Sequence, residues 1–132
     1  MAESETYQKG REMRRRLLGD AYAERTSRTT YADPVMRKFM DVATETIFGT
    51  LWTRPGLDLK TRTLVTLVSD AATGRHPELA IHLRMALRQG WTEGELTEAL
   101  IHLVGYVGAP LTRDALLIAR DVFAEVKKEG AA

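Results

Sequence analysis

The chain has 132 residues, 44% of them hydrophobic and 28% charged, which is the make-up of one globular domain large enough for a real core. With 19 basic against 18 acidic residues the net charge is +1, too small to hold a polyanion, so nucleic acid is not expected as a partner. Cysteine is absent, which excludes disulfides, thiolate metal sites and thiol redox chemistry.

No apolar run approaches the length of a membrane span. The opening Met1-Ala2-Glu3-Ser4-Glu5 lacks the basic and apolar regions of an export signal, so a cytoplasmic protein without membrane contact is expected. The chain reads as helices joined by short connections, with no alternating strand pattern and no internal repeat, giving an all-α fold of about six helices. We read residues 1–132 as a single domain, with 1–30 as an N-terminal helical arm.

The first helix, over about residues 5–24, carries Leu17, Leu18, Ala21 and Tyr22 near its end, preceded by Arg11, Arg14, Arg15 and Arg16. That arginine cluster is either a solvated or subunit-contacting face or an anion site. Asp33-Pro34 then forms an N-cap with proline at the first helical position, and Val35, Phe39, Val42, Ala43 and Ile47 follow at helical spacing. Residues 48–57 form an irregular bridge with a turn at Pro55-Gly56. Asp58 caps a helix through Thr63, Leu64, Leu67, Val68 and Ala71, which ends at Gly74 and carries Arg62 and Asp70 as its conspicuous polar residues.

Gly74-Arg75-His76-Pro77-Glu78-Leu79-Ala80-Ile81-His82 closes that helix and opens the next, which buries Leu79, Leu83, Ala86 and Leu87. Thr92 and Glu95 have capping-box spacing with Trp91 and Leu96 as staple, so Glu95 is assigned to structure. The helix they open buries Leu96, Leu100, Leu103, Val104 and Val107, and beside that stripe run Glu98, His102 and Tyr106. Gly108-Ala109-Pro110 breaks it, and a last helix over about residues 111–127 presents Leu116, Ala119, Val122, Phe123 and Val126.

Glu78 and His82 stand four residues apart and so share a helix face. A carboxylate one turn away would raise the basicity of the imidazole and fix its tautomer; the pair is either a proton-handling unit or an ordinary hydrogen-bonded one. The same two readings apply to Glu98, His102 and Tyr106. Arg62 can hold a substrate carboxylate in bidentate fashion or pair with a carboxylate of the next helix. His76, His82 and His102 show no HExxH or comparable spacing, so no metal is expected, and neither a phosphate loop nor a GxSxG elbow is present. What remains is a noncovalent acid-base enzyme or a helical scaffold whose polar seam has no substrate.

The order of motifs resembles the 4-carboxymuconolactone decarboxylase family of the protocatechuate (β-ketoadipate) pathway. The resemblance runs through Arg14-Arg15-Arg16-Leu17-Leu18-Gly19-Asp20-Ala21-Tyr22, Trp52-Thr53-Arg54-Pro55-Gly56-Leu57-Asp58, Lys60-Thr61-Arg62, Gly74-Arg75, Glu78-Leu79 and His82. It continues through Arg84, Ala86-Leu87-Arg88, Gly90, Glu95, Glu98-Ala99, Tyr106, Gly108, Pro110 and Ala119-Arg120-Asp121-Val122-Phe123, so nearly the full chain is covered. It implies a fold shared with the AhpD-like alkylhydroperoxidases, interlocking subunits, and a homo-oligomer, commonly a hexamer built as a ring of dimers, with a trimer as the alternative. In the peroxidase branch a CxxC pair precedes the histidine matching His82; here Arg75 and Glu78 hold the thiol positions, so that chemistry is excluded.

The family's substrate, a small lactone carboxylate, loses CO2 from the γ carbon of an unsaturated lactone, whose double bond carries the released electrons into the lactone carbonyl, so the resemblance implies no cofactor. It also implies His82 as proton donor or oxyanion partner, Glu78 orienting it, and Arg62 with Arg54 or Arg75 gripping carboxylates. His102 and Tyr106 are the further substrate-binding candidates. The departing carboxylate should face an apolar wall, because firm pairing would stabilise the ground state. The chain departs from the decarboxylase pattern at Phe48, Thr50, His102 and Leu111-Thr112-Arg113-Asp114. These departures support the alternative of a paralogue acting on another lactone or carboxylated ring.

Overall fold

The computed structural model describes residues 3–131. Met1 and Ala2, which belong to the stretch read for an export signal and to the N-terminal arm, lie outside the described residues, as does Ala132. Among the described residues the protein is all-α, with eight α-helices, one π-helical segment and no strand. The six expected segments became eight because two are broken. Gly19, at φ 93°, divides the first into α1 (Glu5–Leu18) and α2 (Asp20–Arg28), while Leu103 separates α6 (Glu93–His102) from the single turn α7 (Val104–Val107). Among the described residues no helix is long and apolar enough to cross a membrane.

By compactness the chain divides between Leu57 and Asp58. The N-terminal unit contains α1, α2, α3 (Pro34–Ala43) and the π-helical segment Thr44–Leu51. Asp33 caps α3 as its spacing predicts, accepting from the amides of Val35 and Met36, with Pro34 in the first turn. Residues 48–51, read as part of an irregular bridge, instead continue α3 as wider helix, with the Trp52 amide reaching back to the Ile47 carbonyl at 2.9 Å. The reason lies in how closely α1 approaches. A Cβ on Gly10 would sit 1.9 Å from the Thr44 carbonyl oxygen, and one on Gly49 would sit 2.4 Å from that of Thr6, so the two backbones meet where only glycine fits.

The C-terminal unit contains α4 (Leu59–Thr73), α5 (His76–Arg88), α6, α7 and α8 (Ala109–Ala131). Its caps are those the sequence specifies. Asp58 accepts from the Thr61 amide, Gly74 ends α4 in the left-handed conformation at φ 71°, and Thr92 and Glu95 form the reciprocal capping box. Leu67, Leu79, Leu83, Leu96 and Leu100 are completely buried and pack with Ala71, Ala86, Ala115, Ala119 and Val122 in one cluster. Each fully buried leucine contributes about 1.5–3 kcal/mol of transfer free energy. Arg84 of α5 ties this core to α8 at the surface by bonding Glu125 at 2.8 Å and Glu129 at 3.0 Å.

Candidate active site

The core-facing register of α4 is Thr63, Leu67, Asp70 and Ala71, all buried, so an aspartate sits on the face that otherwise packs leucine and alanine. Opposite it, α5 buries Leu79, Leu83 and Ala86 and presents His82 beside that stripe. The two helices thereby bring Nδ1 of His82 to 2.5 Å from Oδ2 of Asp70. The Asp70 side chain is 9% exposed and that of His82 is 21% exposed, so the carboxylate is nearly enclosed while the ring still reaches solvent. Burial pushes the Asp70 carboxyl above its ordinary range; the hydrogen bond from His82 opposes that shift, and the negative charge of nearby Glu78 adds to it.

Glu78 was expected to orient His82, and the geometry corrects this: the carboxylate on Nδ1 is Asp70, reached from another helix. Glu78, in the first turn of α5, is exposed and lies close enough to Asp70 to act on its charge. The i,i+4 spacing places Glu78 and His82 on one side of α5 but leaves the imidazole to the stronger partner inside the helix pair. Asp70 had been noted only as a polar residue on an apolar helix. The signal that identifies it is register, since a carboxylate in step with Thr63 and Leu67 must be buried and must then find a donor.

The remaining candidates are spread more widely. Arg75 stands at the N-cap of α5, exposed, with its amide bonded to the Asp70 carbonyl at 2.9 Å, and its charge also acts on the Asp70 carboxyl. Arg62 is partly buried on α4, two turns before Asp70. His102 and Tyr106 meet each other, ring centroids 5.2 Å apart, across the break between α6 and α7, and both are exposed. Glu98 on the same seam is exposed as well. Arg54 belongs to the N-terminal unit and follows the π-helical segment. Leu111, one of the departures from the decarboxylase pattern, lies beside the α4–α5 junction, its Cδ2 3.6 Å from where a Cβ on Gly74 would stand.

With Nδ1 donating its proton to Asp70, the imidazole is held in one tautomer and Nε2 is left to exchange a proton with whatever occupies the solvent side. The arrangement can therefore deliver or accept one proton at a defined point.

Comparison with known proteins places the chain among decarboxylases. The family model described as the carboxymuconolactone decarboxylase family matches residues 37–121. The chain is similar to a 4-carboxymuconolactone decarboxylase from Acinetobacter baylyi, 32% identical over 126 residues that cover 96% of this chain and 92% of that one. It is also similar to a nitrosuccinic acid decarboxylase from Metarhizium robertsii, 34% identical over 124 residues, 94% of this chain and 85% of that one.

Proposed function

The chain belongs to the carboxymuconolactone decarboxylase family, and from that premise we propose that it removes CO2 from 4-carboxymuconolactone without a cofactor, giving the 3-oxoadipate enol-lactone of protocatechuate catabolism. Relatives named decarboxylases align with almost its whole length, and it is a carboxy-lyase of that kind. The bond from the ring carbon to the carboxylate breaks, its electron pair spreads through the double bond into the lactone carbonyl, and a dienolate forms as CO2 leaves. A proton must then return to carbon. His82 supplies it from Nε2, while Asp70 on Nδ1 holds the ring in place and steadies its positive charge. Arg75 and Glu78 border the couple, Arg62 stands further along α4, and these with Arg54, His102 and Tyr106 are the candidates for holding the substrate's carboxylates and lactone.

The observation that carries this reading is the His82–Asp70 couple, a nearly enclosed carboxylate fixing an imidazole that remains open to solvent. A homo-oligomer with interlocking subunits, a hexamer by analogy with the family, and a cytoplasmic location complete the proposal. The face of α3 supports the assembly, since Val35, Phe39 and Val42 recur at helical spacing and are 75%, 53% and 63% exposed within the chain.

A second reading keeps the mechanism and changes the substrate. In nitrosuccinic acid, as in the lactone, the electrons released with CO2 can be taken up by the substrate's own electron-withdrawing group. Similar identity to decarboxylases of both names, with Leu111 placed beside the α4–α5 junction, supports a paralogue acting on another activated carboxylate.

Purified protein without added metal or nucleotide should consume 4-carboxymuconolactone, and His82→Ala should lower turnover by about a hundred- to ten-thousandfold with the helical circular dichroism unchanged. Turnover of nitrosuccinate but not of the lactone would establish the second reading. Inertness towards both, with His82→Ala altering only stability or assembly, would leave a scaffold.

A further inference from the structure

The N-terminal unit holds a cavity of about 270 Å³ whose wall includes four arginines, Arg11, Arg14, Arg15 and Arg37, with Asp41 as the carboxylate among its described lining residues. Their counterions are unequally shared. Arg11 pairs with Glu3, and Arg15 reaches Asp20 at 3.3 Å and Glu24 at 3.9 Å. Among the described residues no carboxylate pairs with Arg14 or with Arg37, and Arg14 is the buried one, 9% exposed. Its Nη2 donates to the Thr26 hydroxyl at 3.0 Å, and that hydroxyl in turn bonds the carbonyls of Tyr22 and Ala23. The guanidinium plane also faces the Tyr31 ring, 5.5 Å from its centroid.

A guanidinium taken out of water without a counterion is costly, and burial lowers the hold of Arg14 on its proton. The fold keeps it there all the same, anchored at one nitrogen. Among the described residues its side-chain hydrogen bond goes to Thr26, and the residue forms part of the cavity wall. The structure thus presents a fixed, buried planar cation with donors to spare, flanked by further positive charge.

We propose that this cavity is a binding site for a small organic carboxylate, whose two oxygens take the open edge of the Arg14 guanidinium while its carbon body lies against Tyr31, Met40 and Ala23. A carboxylate matches the planar fork, and the apolar and aromatic wall favours an anion with a carbon skeleton over bare phosphate. Asp41, which accepts from the Tyr7 hydroxyl at 3.4 Å, disfavours a second negative group at its end and so selects for a single charge. The volume suits a ligand smaller than those of drug-sized sites, which occupy roughly 300–1,000 Å³. The site is independent of the reading of His82, which lies in the other unit.

Calorimetric titration of the full chain with benzoate, its neutral analogue benzamide and inorganic phosphate tests the proposal. Benzoate should saturate one site per chain, benzamide should not bind, and phosphate should bind more weakly than benzoate. Arg14→Gln should weaken benzoate by about ten- to hundredfold, the loss of a charge-assisted bond, while His82→Ala leaves it unchanged. Arg37 is exposed, so Arg37→Gln keeps the test open if Arg14→Gln fails to fold, and it should weaken benzoate several-fold. Unchanged affinity in the folded Arg14 variant, or in the Arg37 variant, overturns the proposal. Phosphate binding as tightly as benzoate would reduce the site to a general oxyanion trap and overturn the carboxylate assignment. A change in subunit mass for Arg14→Gln with no saturable binding to wild type would show the cluster to be a subunit contact instead.

Discussion

The two units treat regular apolar periodicity in opposite ways. In the C-terminal unit the stripe Leu79, Leu83 and Ala86 disappears completely into the cluster formed with α4, α6 and α8. In the N-terminal unit the equally regular stripe Val35, Phe39 and Val42 stays largely in the open, while burial falls on Leu17, Ala23, Ala43 and Trp52 and on Gly10, Thr44 and Gly49, where α1 meets the π-helical segment. One unit closes around side chains, the other around side chains and a contact between backbones. The difference shows that periodicity announces a face to be covered without saying whether the cover comes from the same chain.

Leu83→Ala gives the comparison its largest expected effect, because that side chain is wholly enclosed. A loss of about 2–5 kcal/mol, measured by denaturant unfolding, is the outcome for a leucine of this kind. Gly10→Ala probes the other kind of packing. Its added methyl would meet a carbonyl oxygen rather than a flexible side chain, and overpacking of about 1–3 kcal/mol is expected, by the same measurement. A tolerated Gly10→Ala would break the contrast between the units.

The pH dependence sharpens it within the C-terminal unit. Asp70, raised by burial, binds its proton more readily when folded, so its contribution is favourable below the unfolded value and is lost as pH rises through the folded one. Asp58, lowered by the hydrogen bond from the Thr61 amide, acts the other way: its contribution is present above the unfolded value and lost as pH falls through the folded one. Melting temperature followed from acid to neutral pH should therefore climb more steeply in Asp70→Asn than in wild type, and less steeply in Asp58→Asn. Asp70→Asn should also lose turnover, since an amide replaces the carboxylate on Nδ1.

The smallest effect on stability belongs to Phe39→Ser, within about 0.5 kcal/mol for the isolated chain because the ring is already half exposed. Under the proposed assembly it should lower the mass seen by light scattering. An unchanged mass would remove α3 from the subunit contact.

Much of the secondary structure was legible because its determinants are local. Asp33 with Pro34, Asp58, Gly74, and Thr92 with Glu95 each act within a few residues of themselves, and all four caps form where spacing put them. The π-helical segment was not legible, since it answers to Gly10, a residue on another helix. The site divides in the same way. His82 was visible as an imidazole beside an apolar stripe, whereas its partner was sought one turn away and proved to lie twelve positions earlier in the chain.

By itself the sequence determined the helical class, the ends of most helices and the absence of thiol chemistry, all consequences of residue type and short-range spacing. The tertiary structure alone decided that Asp70 rather than Glu78 meets His82, that Arg14 is buried with no carboxylate paired to it among the described residues, and that the α3 stripe goes uncovered. Those outcomes depend on which face of one helix is set against which face of another, and no local pattern records that choice.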